Sequence, residues 1–362
     1  MPSNQRVARR PGGFSLVEIM VAMTIGMIGI LIMMQVFQVF LGQKRTTAGA
    51  ADAQENGLIA MYTMEREIRM AGLGLVGLGC TVINTYNEDR VPQDLPVSML
   101  PVTIVQDLTR DAAGNPVAAV GTDMITLLYS TSAFASIPTT ITSAMPDSSA
   151  ILNVSNGEGF VQGNLFLISQ PPQPCSLAQA SQNGQQTGST WNLQHNPGGA
   201  YDWNPPGGHN IFPPGGYGTG ARVTNMGSMA NHEYFVQNGN LMMRDLTQLN
   251  SATNPVALVS GIYAIRAQYG RDTGADGYVD VFDNTAPATI ESLVALRLAV
   301  VARSGQLEIN VVTPGNPPGT LALWNGGTTL NGGAITLDAT AQRYRYKVYQ
   351  TTIPLRNIIW GS

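Results

Sequence analysis

Glu18 is the only charged residue between Phe14 and Phe40, in the run FSLVEIMVAMTIGMIGILIMMQVFQVF. A carboxylate in such a segment costs about 2.5–3.5 kcal/mol at mid-membrane and less near an interface, so it calls for a partner. Gly12 and Gly13 immediately precede the run. A chain cut between Gly13 and Phe14 would present an α-amine one helical turn from that carboxylate. An amine from a neighbouring copy would serve as well. Pairing between copies would turn a membrane liability into a register signal for assembly.

Other residues with chemical potential are fewer. Asp272, Asp276 and Asp280 in DTGADGYVD fall at positions 1, 5 and 9 of an EF-hand-like loop, with Gly277 at the turning position and the Tyr278 carbonyl as a further ligand. Position 3 is Gly274 and position 12 is Asp283, so the pattern fits only a loose Ca²⁺ site; the plainer reading is an Asp/Gly turn between two strands. Cys80 and Cys175 are the only cysteines. If they pair outside the cytoplasm, they close a loop of roughly a hundred residues, which is about 4–5 kcal/mol by chain entropy; two unrelated buried thiols are the alternative. None of the three histidines, His195, His209 and His232, stands at metal-ligand spacing from another, and the first two read as solvated loop residues. No nucleophile-elbow, zinc-protease, Walker or dinucleotide fingerprint occurs, so the expectation is a protein that is not an enzyme and requires no cofactor. The RYRYKVY stretch alternates basic and aromatic residues. As a strand it would put Arg343, Arg345 and Lys347 on one face and Tyr344, Tyr346 and Val348 on the other, a half-buried strand rather than a nucleic-acid platform.

The elements that position these residues can be read from the pattern. Residues 14–40 are long enough to span a bilayer, and Arg6, Arg9 and Arg10 before them keep residues 1–13 cytoplasmic by the positive-inside bias. A secretory signal would be cleaved after its apolar stretch in a small-residue context; here the small residues come first. The helix is expected to continue to about residue 71 as an amphipathic half with Leu58, Met61, Met64 (or Glu65) and Ile68 on its inner face, ended by the cluster Gly72, Gly74, Gly77 and Gly79. Beyond Cys80, short apolar runs broken by Pro, Gly, Asn and Asp read as strands at 102–105, 123–130, 163–170, 233–237, 241–246, 257–270, 292–304 and 343–353. Asn238-Gly239 between two of these is a hairpin signal. Strands and helices do not alternate beyond the first helix, so the fold class is α+β, a long N-terminal helix packed on a mainly antiparallel, β-rich domain over 72–362. Residues 181–220 are loop by composition. Their aromatics Trp191, Tyr201, Trp203, Phe212 and Tyr217 either form an adhesive surface or, the plainer reading, fold back onto the sheet.

Charged residues make up 12% of the chain and the formal net charge is −4, with three arginines in the leader. A processed chain is more acidic still, a poor match for nucleic-acid phosphates.

The N-terminal GGFSLVEIMVAMTIGMIGI resembles the class III signal of type IV pilins and type II secretion pseudopilins. The resemblance implies leader cleavage between Gly13 and Phe14, N-methylation of Phe14 by a prepilin peptidase, and use of Glu18 in filament assembly. The order of EREIRMAGLGLVGLGC, GTDMITLLYS, GNLFLISQPPQPCSLAQAS, WNLQHN, EYFVQNGNLMMRDL, YGRDTGADGYVD, SLVALRLAVVARS and TTIPLRN is similar to PilW-type minor pilins across most of the chain. That implies a low-abundance subunit that primes or caps the filament, with other minor pilins, the major pilin and the inner-membrane assembly platform as partners. It also implies a periplasmic globular domain before assembly and a pilus location after it. The alternatives are a J-like pseudopilin of type II secretion, or a pilus-tip adhesin or DNA-capture subunit.

Overall fold

The computed structural model describes residues 13–90, 92–94, 96–135, 137–146, 151–197, 201–207, 209–248, 255–316, 318–324 and 333–359; residues 1–12 of the expected leader lie outside them. One unbroken α-helix runs over Leu16–Met70. Its start is a capping box that sequence reading passed over. The Ser15 hydroxyl accepts a hydrogen bond from the Glu18 backbone N–H at 3.2 Å, and the Glu18 carboxylate accepts one from the Ser15 N–H at 3.4 Å. The helix ends where Gly72 turns to φ +85°, a conformation costly for any side chain. The chain forms two compact units, 1–51 and 52–362, so the division falls inside the helix and not at its end.

In the second unit the helix buries Ala53, Gly57, Ala60, Met61, Met64 and Ile68. Three of these are small, and the reason is close approach: a Cβ on Gly57 would overlap the Tyr349 ring and come within 3.1 Å of Ala302 Cβ. Leu58, expected on this inner face, is instead 51% exposed. Met61, Met64 and Ile68 are buried as expected; at the first turn of the stripe the small residues Ala53 and Gly57, which an apolar-periodicity count passes over, are covered in place of Leu58.

Among the described residues the strands pair antiparallel with one exception. A five-stranded sheet runs in the order 256–260, 240–245, 230–237, 124–129, 102–105, and a four-stranded sheet in the order 281–283, 262–271, 293–303, 346–354. A six-stranded sheet runs 97–98, 82–84, 175–179, 165–169, 222–227, 139–140, and a three-stranded one 185–187, 190–194, 151–154. Among the described residues only Val82–Asn84 and Cys175–Gln179 pair in parallel. The expected α+β arrangement is therefore what forms.

Local chemistry explains the turns. Asn238 and Gly239 both have positive φ, +51° and +74°, and join strands in register Gln237↔Asn240, the two-residue hairpin that Asn-Gly favours. The apolar run 257–270 is not one strand. At Gly261, φ +71°, the chain leaves the five-stranded sheet and enters the four-stranded one. Periodicity does not mark such a switch, because both sides of it are apolar.

The largest core joins the buried helix face to the five- and four-stranded sheets, and a second surrounds Phe166, Ile168 and Tyr217. Arg266 and Asp123 form an ion pair with both side chains buried, and Arg266 also reaches Asp107 at 2.7 Å. Burial pushes the Asp123 carboxyl up while Arg266 opposes it. A pair of this kind is specified only by tertiary contact, since 143 residues separate its members.

Candidate functional site

The first unit holds the residues that sequence reading singled out. Phe14 is 80% exposed, and every described residue from Gly13 to Phe40 is exposed. The helix is long and apolar enough to cross a membrane, and its most apolar window buries nothing within the chain. Apolar surface left uncovered over several turns marks contact with lipid or with other helices. Glu18 closes the capping box with Ser15, so its carboxylate lies at the positive end of the helix dipole, within one turn of Phe14. The arrangement holds the acid near the amine that processing would create and leaves it accessible.

In the second unit Glu67 ties the helix to the five-stranded sheet. Its carboxylate accepts from the Tyr129 hydroxyl and lies 3.2 Å from His232 Nδ1. Burial raises the carboxyl's pKa, but the hydrogen bonds from His232 and Tyr129 outweigh it, and the group sits below its ordinary value. Tyr129 is pushed up by burial and by the same carboxylate. Sequence reading missed this cluster because Glu67 sits in a run of charges that reads as a solvated helix face. At the C-terminal end of the helix, Asn357 donates to the carbonyls of Arg69 and Met70 at 3.1 and 3.0 Å, satisfying orphan acceptors.

Cys80 and Cys175 form a disulfide with their Cα atoms 5.9 Å apart, beside the register pair Ile83↔Cys175. The alternative of two free thiols falls.

The DTGADGYVD segment forms the plainer of its two readings, an Asp/Gly turn between two paired strands, and its carboxylates do not gather as a Ca²⁺ site would require. Asp280 accepts from the backbone N–H and hydroxyl of Thr273 at 2.7 and 2.8 Å and from Gly274 N–H at 2.9 Å. These bonds, led by the Thr273 hydroxyl, hold its carboxyl below the usual range. Asp272 accepts from the Gly277 N–H at 2.6 Å, and Asp276 from the Tyr278 N–H at 3.0 Å. Among the described residues no three His, Cys, Asp or Glu side chains converge on a metal position. The carboxylates serve the turn itself.

The aromatic segment also departs from the surface reading. Residues 185–187 and 190–194 form a hairpin, and Trp203, Phe212 and Tyr217 are buried; Trp191 packs on the second core. The Tyr217 hydroxyl bonds the Ser176 hydroxyl at 2.8 Å, and burial pushes it up to about 12. His195 is buried rather than solvated, and burial drives its pKa down to about 4. Pro and Gly density reads as exposed loop, while the aromatics that anchor the segment count for little in composition.

The RYRYKVY strand begins only at Tyr346, after a 3₁₀ turn over Ala341–Arg343. Arg343 Nε donates to the Glu308 carbonyl at 2.7 Å and Arg345 Nε to the Glu308 carboxylate at 3.1 Å. The expected alternation thus holds only from Tyr346 on, and these two arginines serve the chain's own loop.

Comparison with known proteins adds three findings. Residues 230–357 match the family described as type IV pilus-assembly protein W, and residues 8–34 match the prokaryotic N-terminal methylation motif. No curated protein is significantly similar to the chain. Among solved structures, a type IV-like pilin from Thermus thermophilus is similar at 14% identity, covering 55% of this chain and 86% of that one with a TM-score of 0.25; so low a score carries no argument. The first match includes the Asn-Gly hairpin and the central strands of the four-stranded sheet, and the second includes Gly13, Phe14 and Glu18.

Proposed function

The chain carries a type IV pilus-assembly W domain behind an N-terminal methylation motif, as a minor-pilin-like assembly protein does, and from that premise we propose a working cycle. A prepilin peptidase cuts between Gly13 and Phe14 and methylates the new Phe14 amine. The apolar helix holds the subunit in the inner membrane with its β-rich unit in the periplasm. Glu18 then pairs with the Phe14 amine of a neighbouring pilin as the assembly platform draws the subunit into the filament, where it primes or caps the tip with other minor pilins.

One observation carries this reading: a lone carboxylate caps the start of a helix whose apolar surface has no cover within the chain. In hydrocarbon the carboxylate favours any cation that can reach it, and a processed neighbour supplies one. The test compares two variants in cells. Gly13→Leu is expected to leave an uncut precursor, and Glu18→Ala to be cut and methylated normally yet absent from sheared filaments. Normal incorporation of Glu18→Ala would sink the amine-pairing mechanism while leaving the processing step intact.

A further inference from the structure

A cavity of about 290 Å³ lies between the five-stranded and six-stranded sheets, away from every residue of the assembly cycle. Register pairs of the five-stranded sheet, Thr103↔Thr126 and Leu128↔Asn231, form one wall. Ile83 and Leu177 of the six-stranded sheet, with Trp203, form the other. Both sheets end here in terminal strands, 97–98 and 102–105, which leaves the cavity open at its side.

The chemistry of the walls restricts the occupant. An apolar cavity of about 150 Å³ takes up benzene, so a cavity nearly twice that size suits a bicyclic ring system. The Trp203 ring and the Met229 thioether both line the space and prefer aromatic contacts. The one charged residue of the lining, Arg90, is held in place by the chain itself, donating to the Thr85 carbonyl at 3.4 Å, the Thr85 hydroxyl at 2.5 Å and the Gln93 carbonyl at 3.2 Å. Asn231 differs from the rest of the lining. It is only 6% exposed, and its side-chain amide has no hydrogen-bond partner among the described residues. The amide lines the cavity, where its carbonyl oxygen can accept a hydrogen bond from a ligand's N–H or O–H.

We propose that this cavity binds a flat, bicyclic aromatic molecule with one N–H or O–H directed at Asn231. The site is independent of the assembly cycle. Its probe is indole, titrated into the full chain in detergent micelles with methyl-labelled methionine. The Met229 methyl signal is expected to shift saturably, whereas Met20, Met23 and Met27, exposed on the helix, shift in proportion to indole taken up by the detergent. Thr103→Phe places a ring in the cavity from its edge and is expected to weaken binding at least tenfold. Naphthalene, which lacks the N–H, is expected to bind at least fivefold more weakly than indole. Absence of a saturable Met229 shift, or unchanged binding in Thr103→Phe, overturns the site; equal affinity for naphthalene overturns the role of Asn231. Should Thr103→Phe fail to fold, contacts between indole protons and the Met229 methyl in the unsubstituted chain decide the question, their absence counting against the site.

Discussion

The two halves of the N-terminal helix are built from similar residues and solve opposite problems. Residues 16–40 are apolar on all sides and exposed on all sides, with one acid that caps the helix start. Residues 53–70 keep one narrow buried stripe, partly of alanine and glycine, and spend their charges on ion pairs and hydrogen bonds. Hydrophobicity alone therefore does not say where a side chain is covered. Among the described residues the first half has no cover, whereas the second finds its cover within its own unit.

Substitutions matched across the two halves would break that contrast if it were wrong. Met64→Ala removes a fully buried side chain and is expected to cost about 3 kcal/mol in denaturant unfolding of the β-rich unit, whereas Leu31→Ala should leave that transition in place. A common loss in both would mean that the first half is also part of the folded core. Gly57→Leu forces a side chain against Tyr349 and Ala302, with an expected cost of about 2 kcal/mol. Gly29→Leu meets nothing within 4 Å and should not change the melting temperature.

The smaller effects sharpen the contrast. Glu67→Gln weakens its hydrogen bonds with Tyr129 and His232 and should cost about 1–2 kcal/mol at neutral pH. Because the folded pKa of Glu67 lies below its unfolded value, its ionised form contributes stability above roughly pH 4.5, and this is lost as pH falls through the folded value. The difference between the original chain and Glu67→Gln should therefore shrink on acidification, as read from paired melting curves. His195 supplies a background common to both. Buried and neutral with a pKa near 4, it costs stability as pH falls from about 6.5 towards 4. Leu58→Ala, on the exposed side of the second half, should stay within about 0.5 kcal/mol. A larger loss there would move the buried stripe back to where periodicity placed it.

Several features were legible because they are local. The Asn-Gly hairpin depends on two residues whose backbone preference does not need the rest of the fold. The helix end depends on a glycine cluster, and the strand at 102–105 forms within its predicted bounds. The aspartates of the DTGADGYVD loop left two readings open because turn formation and cation binding call for the same residues at nearly the same spacing. Only geometry tells whether the carboxylates are already occupied. Glu67 with His232, and Asp123 with Arg266, were not legible at all, since nothing in a run of sequence ties partners more than a hundred residues apart.

By itself the sequence determined the apolar helix, the position of Gly13, Phe14 and Glu18 at its start, and the antiparallel character of the strands beyond Cys80. Each rests on composition, short-range spacing or backbone preference. Only the tertiary structure decided which helix face is covered, that Cys80 meets Cys175, that the aromatics of 181–220 turn inward, and that a cavity opens beside Asn231. Those outcomes depend on which surfaces meet when the sheets close on one another, and burial is a property of that meeting rather than of any one segment.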